Sequence, residues 1–142
     1  MSTTALRRFK WPLLIILGAL LSYWMLKSYQ SDLNANLDVE ARNATAAGAS
    51  YGMQNDQQAC MDKVLRDIQG CNSFACGVVH GRFIKACLQE AQPSDGFCQD
   101  VPTFSEKKDR DTNEWLRDIC FEHPETNTCY LVRRQQQQLC SS

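Results

Sequence analysis

The segment CMDKVLRDIQGCNSFACGVVHGRFIKAC, residues 60–87, decides the fold. Two Cys-x10-Cys arms, Cys60 to Cys71 and Cys76 to Cys87, flank a Cys-x4-Cys link. Eleven residues of α-helix turn through about 1,100°, close to three full turns. Cys60 and Cys71 therefore share one helix face, about 16 Å apart, and Cys76 and Cys87 share another. Gly70 supplies a stop and Asn72-Ser73 the next cap. The chain reverses at this point, and two antiparallel helices of equal register follow. Of the connectivities open to eight cysteines, the spacing favours a nested one. Cys71 faces Cys76 at the closed end and Cys60 faces Cys87 at the open end. Val64, Leu65 and Ile68 lie with the first arm, and Val79, Phe83 and Ile84 with the second, at helical i, i+3, i+4 spacings.

This arrangement resembles the twin CX9C helical hairpins of the mitochondrial intermembrane space, in which nested disulfides join two antiparallel helices. The resemblance covers Cys60 to Cys87 only, and both arms here are CX10C. It implies a likeness of architecture, not kinship.

A second hairpin is expected downstream. Leu116-Arg117-Asp118-Ile119 before Cys120 matches Leu65-Arg66-Asp67-Ile68 before Cys71, and Cys129-x10-Cys140 matches Cys76-x10-Cys87. Asp111 with Glu114 makes a capping-box pattern, and His123 to Asn127 makes the turn. Asp111 stands where this repeat would want a counterpart of Cys60. The expected pairs are therefore Cys120–Cys129 at the closed end and Cys98–Cys140 across the outside. Pro93 to Gly96 is a turn signal between the halves. Cys98 to Phe104 reads as extended or irregular, and Gln135 to Gln138 as the exposed side of the last helix.

Upstream, Trp11 to Leu26 carries no charge and is flanked by Arg7, Arg8, Lys10 and Lys27. It reads as an uncleaved signal-anchor. Ser22 to Met25 makes a poor cleavage site, and more basic residues precede the run than follow it. Sixteen helical residues span about 24 Å against about 30 Å of hydrocarbon, so the reading needs extension to Tyr29 and snorkelling by the flanking lysines. Residues 30–55 read as a stalk whose helical pattern breaks at Ala46 to Gly52. Asn43-Ala44-Thr45 is a formal glycosylation acceptor.

The expected organisation is all-α. A cytoplasmic N-terminus (1–10) precedes a transmembrane helix (11–29) in contact with membrane lipid, then a stalk (30–55) and a Cys-rich domain (56–142). That domain comprises hairpin 1 (56–91), a connector (92–104) and hairpin 2 (105–142). Eight cysteines in 142 residues downstream of an export signal read as a disulfide framework in an oxidising compartment. A domain this small gains much of its stability from such staples. The N-terminus resembles that of a bacterial inner-membrane protein, which puts the domain in the periplasm. The alternative is the mitochondrial inner membrane facing the intermembrane space.

A net charge of −1 gives no bulk attraction to nucleic acid. No Cys-x-x-Cys, G-x-S-x-G, H-E-x-x-H or phosphate loop is present, so the expectation is a non-enzyme with no cofactor and no small-molecule substrate. Asp109 and Asp111 sit among Lys107, Lys108 and Arg110 and read as a solvated face. Cys76-x3-His80 and Cys120-x2-His123 are the candidate metal pairs. Cys71, Cys76, His80 and Asp67 would form a site only if the thiols were reduced. No metal is therefore expected. Gly77-x3-Gly81 permits close helix approach, within the domain or to a partner helix. The expected function is a membrane-tethered interaction or assembly module of an envelope complex. The alternative is a redox or metal-handling accessory of a membrane enzyme.

Overall fold

The computed structural model describes residues 3–107 and 109–142, with side chains described from Trp11 onward except at 12, 13, 32 and 33. The expectations for residues 1 and 2, and for the side chains of residues 3–10, 12 and 13, lie outside that range. Five helices follow in order: α1 (Thr3–Gly52), α2 (Gln57–Asp67), α3 (Phe74–Glu90), α4 (Arg110–Cys120) and α5 (Thr126–Cys140). The chain divides into two compact units, Met1–Asp38 and Val39–Ser142.

In the first unit, the large apolar side chains from Leu14 to Leu26 lie exposed along α1. Among the described residues, no helix is long and apolar enough to cross a membrane. That corrects the expected span at 11–29. The element is a helix, but its uncharged run ends at Leu26 and carries Gly18 and Ser22, whose hydroxyl donates to the Gly18 carbonyl at 2.8 Å.

The second unit opens at Val39, ahead of the expected boundary at 56. The helix break expected at 46–52 does not occur, because α1 runs on to Gly52. The small residues serve a close helix contact instead. A Cβ on Gly48 would lie 2.2 Å from the Phe83 carbonyl oxygen, and one on Gly52 2.3 Å from that of Cys87. Successive turns of α1 thus meet successive turns of α3 backbone to backbone, with Tyr51 and Phe83 rings 6.1 Å apart beside them. The acceptor Asn43-Ala44-Thr45 falls inside this helix.

Helix starts follow their caps. Asp56 accepts from the Ala59 amide at 2.8 Å, Ser73 from Cys76 at 3.2 Å and Asp109 from Thr112 at 2.8 Å. The cap of α4 is therefore Asp109, and Asp111 lies exposed in the first helical turn. Gly70, at φ +83°, makes the left-handed turn out of α2.

Four disulfides frame the unit: Cys60–Cys87, Cys71–Cys76, Cys98–Cys140 and Cys120–Cys129, with Cα–Cα separations of 5.4–6.0 Å. Between them sits a core of Met61, Val64 and Ile68 from α2, Ile84 and Leu88 from α3, Leu116 from α4 and Val132 from α5. Burying each such aliphatic side chain contributes about 1.5–3 kcal/mol. The bridges span very different loops, 42 residues for Cys98–Cys140 and 5 for Cys71–Cys76. Loop entropy assigns about 4 kcal/mol to the first and about 2 kcal/mol to the second.

The internal repeat is one residue out of phase. Leu116 is buried, whereas its sequence match Leu65 is only partly so; Ile68 is fully buried, whereas its match Ile119 is exposed. The inward stripe of α4 is Thr112, Leu116 and Cys120, which corresponds to Cys60, Val64 and Ile68 of α2. One position is about 100° of helix, so a four-residue identity aligned there points different side chains at the core. The counterpart of Cys60 is Thr112, not Asp111.

The glutamine run is not an exposed face. Gln137 is fully buried and Gln136 nearly so. Gln136 Nε2 donates to the Phe97 carbonyl at 2.7 Å, and Gln137 Nε2 to the Thr103 carbonyl at 3.2 Å and to Thr112 Oγ1 at 3.0 Å. Arg134 holds the Gln137 oxygen at 2.7 Å and the Ser105 carbonyl at 2.6 Å, and its guanidinium lies 4.3 Å from the Phe104 ring centre. The irregular connector has few backbone partners of its own, so α5 supplies donors to its carbonyls.

Candidate functional site

The closed ends of the two hairpins meet. His123, in the α4–α5 turn, uses both ring nitrogens. Nδ1 accepts from the Glu125 amide at 3.1 Å, so Nε2 carries the proton and donates to the Leu65 carbonyl at 3.0 Å. The buried Thr128 hydroxyl donates to the Cys71 carbonyl at 3.0 Å. The pair Cys120 and His123 therefore offers no ligand, since the sulfur is in a disulfide and the imidazole is spent on the turn.

Beside this junction lies a surface hollow of about 480 Å³, lined by Cys71, Phe74, Gly77, Pro124, Thr128 and Leu131 among others. Phe74 is 83% exposed and Phe121, at the end of α4, 79% exposed.

Gly77 and Gly81 face α5 of this same chain. A Cβ on Gly81 would come within 2.7 Å of Leu131 Cδ2, and one on Gly77 within 3.9 Å of Leu131 Cδ1. The helix they approach is internal, which is the packing within the domain expected of this glycine pair and not its alternative, a groove for a partner helix. The closest backbone seam is the one at Gly48 and Gly52, where the neighbour is carbonyl oxygen instead of a side chain that can turn away.

At the closed end of the first hairpin, ligand atoms of Cys71, Cys76 and His80 all lie within 4.8 Å of one another. Ser73 caps α3, which puts Cys76 in its first turn, and His80 follows one turn later on the same face. Asp67, the fourth residue of the set read from sequence, is not among the converging atoms. Its carboxylate pairs with Lys63 Nζ at 2.8 Å. Burial pushes the His80 imidazole below its ordinary pKa and Lys63 acts the same way, while the Asp67 charge opposes them. The neutral ring is favoured.

Among the described residues there is no free cysteine. Four disulfides in a unit of this size fit an oxidising, extracytoplasmic compartment. No known protein family, curated protein or solved structure matches the chain.

Proposed function

We propose that the chain is a membrane-attached binding or assembly module whose disulfide-framed helical unit works outside the cytoplasm, most simply in a bacterial periplasm. The carrying observation is the pair of exposed rings, Phe74 and Phe121, at the closed ends of two hairpins that His123 and Thr128 lock together. A rigid frame that leaves two large aromatics in water has the composition of an interface core, where aromatic side chains concentrate binding energy. The exposed apolar side chains from Leu14 to Leu26 support attachment to a bilayer surface.

Co-purification from gently solubilised membranes tests this. The native chain is expected to carry a protein partner, and Phe74→Ser with Phe121→Ser is expected to lose it while keeping the helical circular-dichroism spectrum. A chain that runs alone, or a double variant that retains the same partner in the same amount, would contradict the proposal.

A further inference from the structure

We propose that Cys71, Cys76 and His80 form a redox-gated site for one divalent ion of the zinc class, closed while the Cys71–Cys76 disulfide stands and open once it is reduced. This goes beyond the assembly reading and does not depend on it.

The geometry carries the inference. The three ligand atoms already lie within 4.8 Å of one another. A tetrahedral ion with bonds of about 2.3 Å to sulfur and about 2.0 Å to nitrogen needs its donors roughly 3.5–3.8 Å apart. Breaking the sulfur–sulfur bond lets the two thiolates separate to that distance by side-chain rotation, with Cα atoms 5.7 Å apart. Cys76 and His80 share one face of α3, so the helix itself sets two of the three ligands. Among the described residues, this is the one place where three such ligand atoms converge.

The chemistry agrees. Two thiolates and an imidazole suit zinc-class ions, with a water in the fourth position. Cys76 sits in the first turn of α3, where the helix N-terminal end favours a thiolate. Cys76 is partly exposed and Cys71 buried, so this bridge is more accessible than Cys60–Cys87 and Cys120–Cys129 and less so than Cys98–Cys140, which has no histidine ligand converging on it. The bridge closes the shortest loop of the four, with 5 residues of separation, so the folded unit loses the least stability when it opens.

The redox step balances with a dithiol as reductant. It delivers two electrons and two protons to the Cys71–Cys76 bond, giving two thiols, and leaves as its own disulfide. Ion binding then displaces the two thiol protons.

The test uses the full-length chain, a limiting phosphine reductant that does not compete for metal, and Co²⁺ as probe. Alkylation and peptide mass mapping identify which bridge has opened. The expected result is one Co²⁺ per chain, with tetrahedral d–d bands and a thiolate-to-cobalt charge-transfer band, seen only when Cys71–Cys76 is open. Cys71→Ser is expected to abolish the bands. His80→Gln, at a partly exposed position that leaves every bridge intact, is expected to weaken binding by about tenfold or more. It keeps the test alive if the cysteine variant misfolds. Three results would overturn the proposal: no cobalt uptake with that bridge open, equal uptake by the oxidised chain, or His80→Gln binding unchanged.

Discussion

Gln137 Nε2 donates to Thr112 Oγ1 across 3.0 Å, and both side chains are fully buried. This contact joins α4 to α5 where the first hairpin joins α2 to α3 by Cys60–Cys87. A neutral hydrogen bond thus occupies the place of a covalent staple, and the staple at that end of the second hairpin reaches instead from Cys98 to Cys140.

The contact belongs to a network in which removing one member strands the others. Gln137→Leu deletes the donor to Thr103 and Thr112 and the acceptor for Arg134, so it is expected to destabilise the unit by about 2–4 kcal/mol. Thr112→Val alone is expected to cost about 1–2 kcal/mol. The double variant is expected to lose less than the sum, because each single change leaves a buried polar atom without its partner. Denaturant unfolding under non-reducing conditions reads all three.

Gly48 and Gly52 make a sharper test of packing. Alanine at either position must push the α3 backbone, since the nearest atom is a carbonyl oxygen at 2.2 or 2.3 Å. Each substitution is expected to destabilise by about 2–3 kcal/mol. Gly18→Ala is the control. Nothing lies within 4 Å of its added Cβ, and the change is expected to raise helicity modestly.

Asp109 sets an acid dependence. Its carboxylate is held below its ordinary pKa, chiefly by the Thr112 amide and then by the Thr112 hydroxyl, with a further contribution from Arg134. A carboxyl group with a depressed folded pKa contributes stability above its unfolded value of 3.8, and that contribution is lost as pH falls through the folded value. The Thr112 amide is therefore expected to exchange progressively faster as pH drops below that range in the native chain, relative to a pH-independent reference amide. Asp109→Asn is expected to flatten this dependence. An unchanged profile in the variant would show that the cap does not titrate.

His123 should be observable directly. With Nδ1 accepting and Nε2 donating, its ¹⁵N shifts are expected to report the Nε2-protonated tautomer. His123→Ala is expected to loosen the junction of the closed ends and to cost about 1–3 kcal/mol.

What could be read from the residues alone follows a physical division. The helical class rests on local geometry, because the three-turn spacing from Cys60 to Cys71 and from Cys76 to Cys87 is a property of one helix at a time. The apolar stripe of Val64, Ile68 and Ile84 is legible for the same reason. Gly48 and Gly52 were not legible as packing residues. A small-residue stretch breaks a helix in isolation, and only the backbone of α3 opposite makes it a seam. Gln136 and Gln137 read as exposed from sequence because a polar run is soluble by default. Their burial depends on an irregular connector that presents bare carbonyls at Phe97 and Thr103. The second hairpin reads one residue out of phase from sequence, because a four-residue match aligns on identity and not on the buried face. Its inward stripe of Thr112, Leu116 and Cys120 contains a polar residue that no hydropathy pattern would place there. The candidate site was partly visible. Cys76 and His80 are an i, i+4 pair in any helix, but the position of Cys71 beside them depends on the turn at Gly70.

Four specific bridges frame the helical unit. Peptide mass mapping of the native chain, alkylated and digested without reduction, tests it most directly. The expected map is Cys60–Cys87, Cys71–Cys76, Cys98–Cys140 and Cys120–Cys129, with no alkylated cysteine. A crossed pair such as Cys60–Cys71, or a free thiol at Cys98 or Cys140, would contradict it.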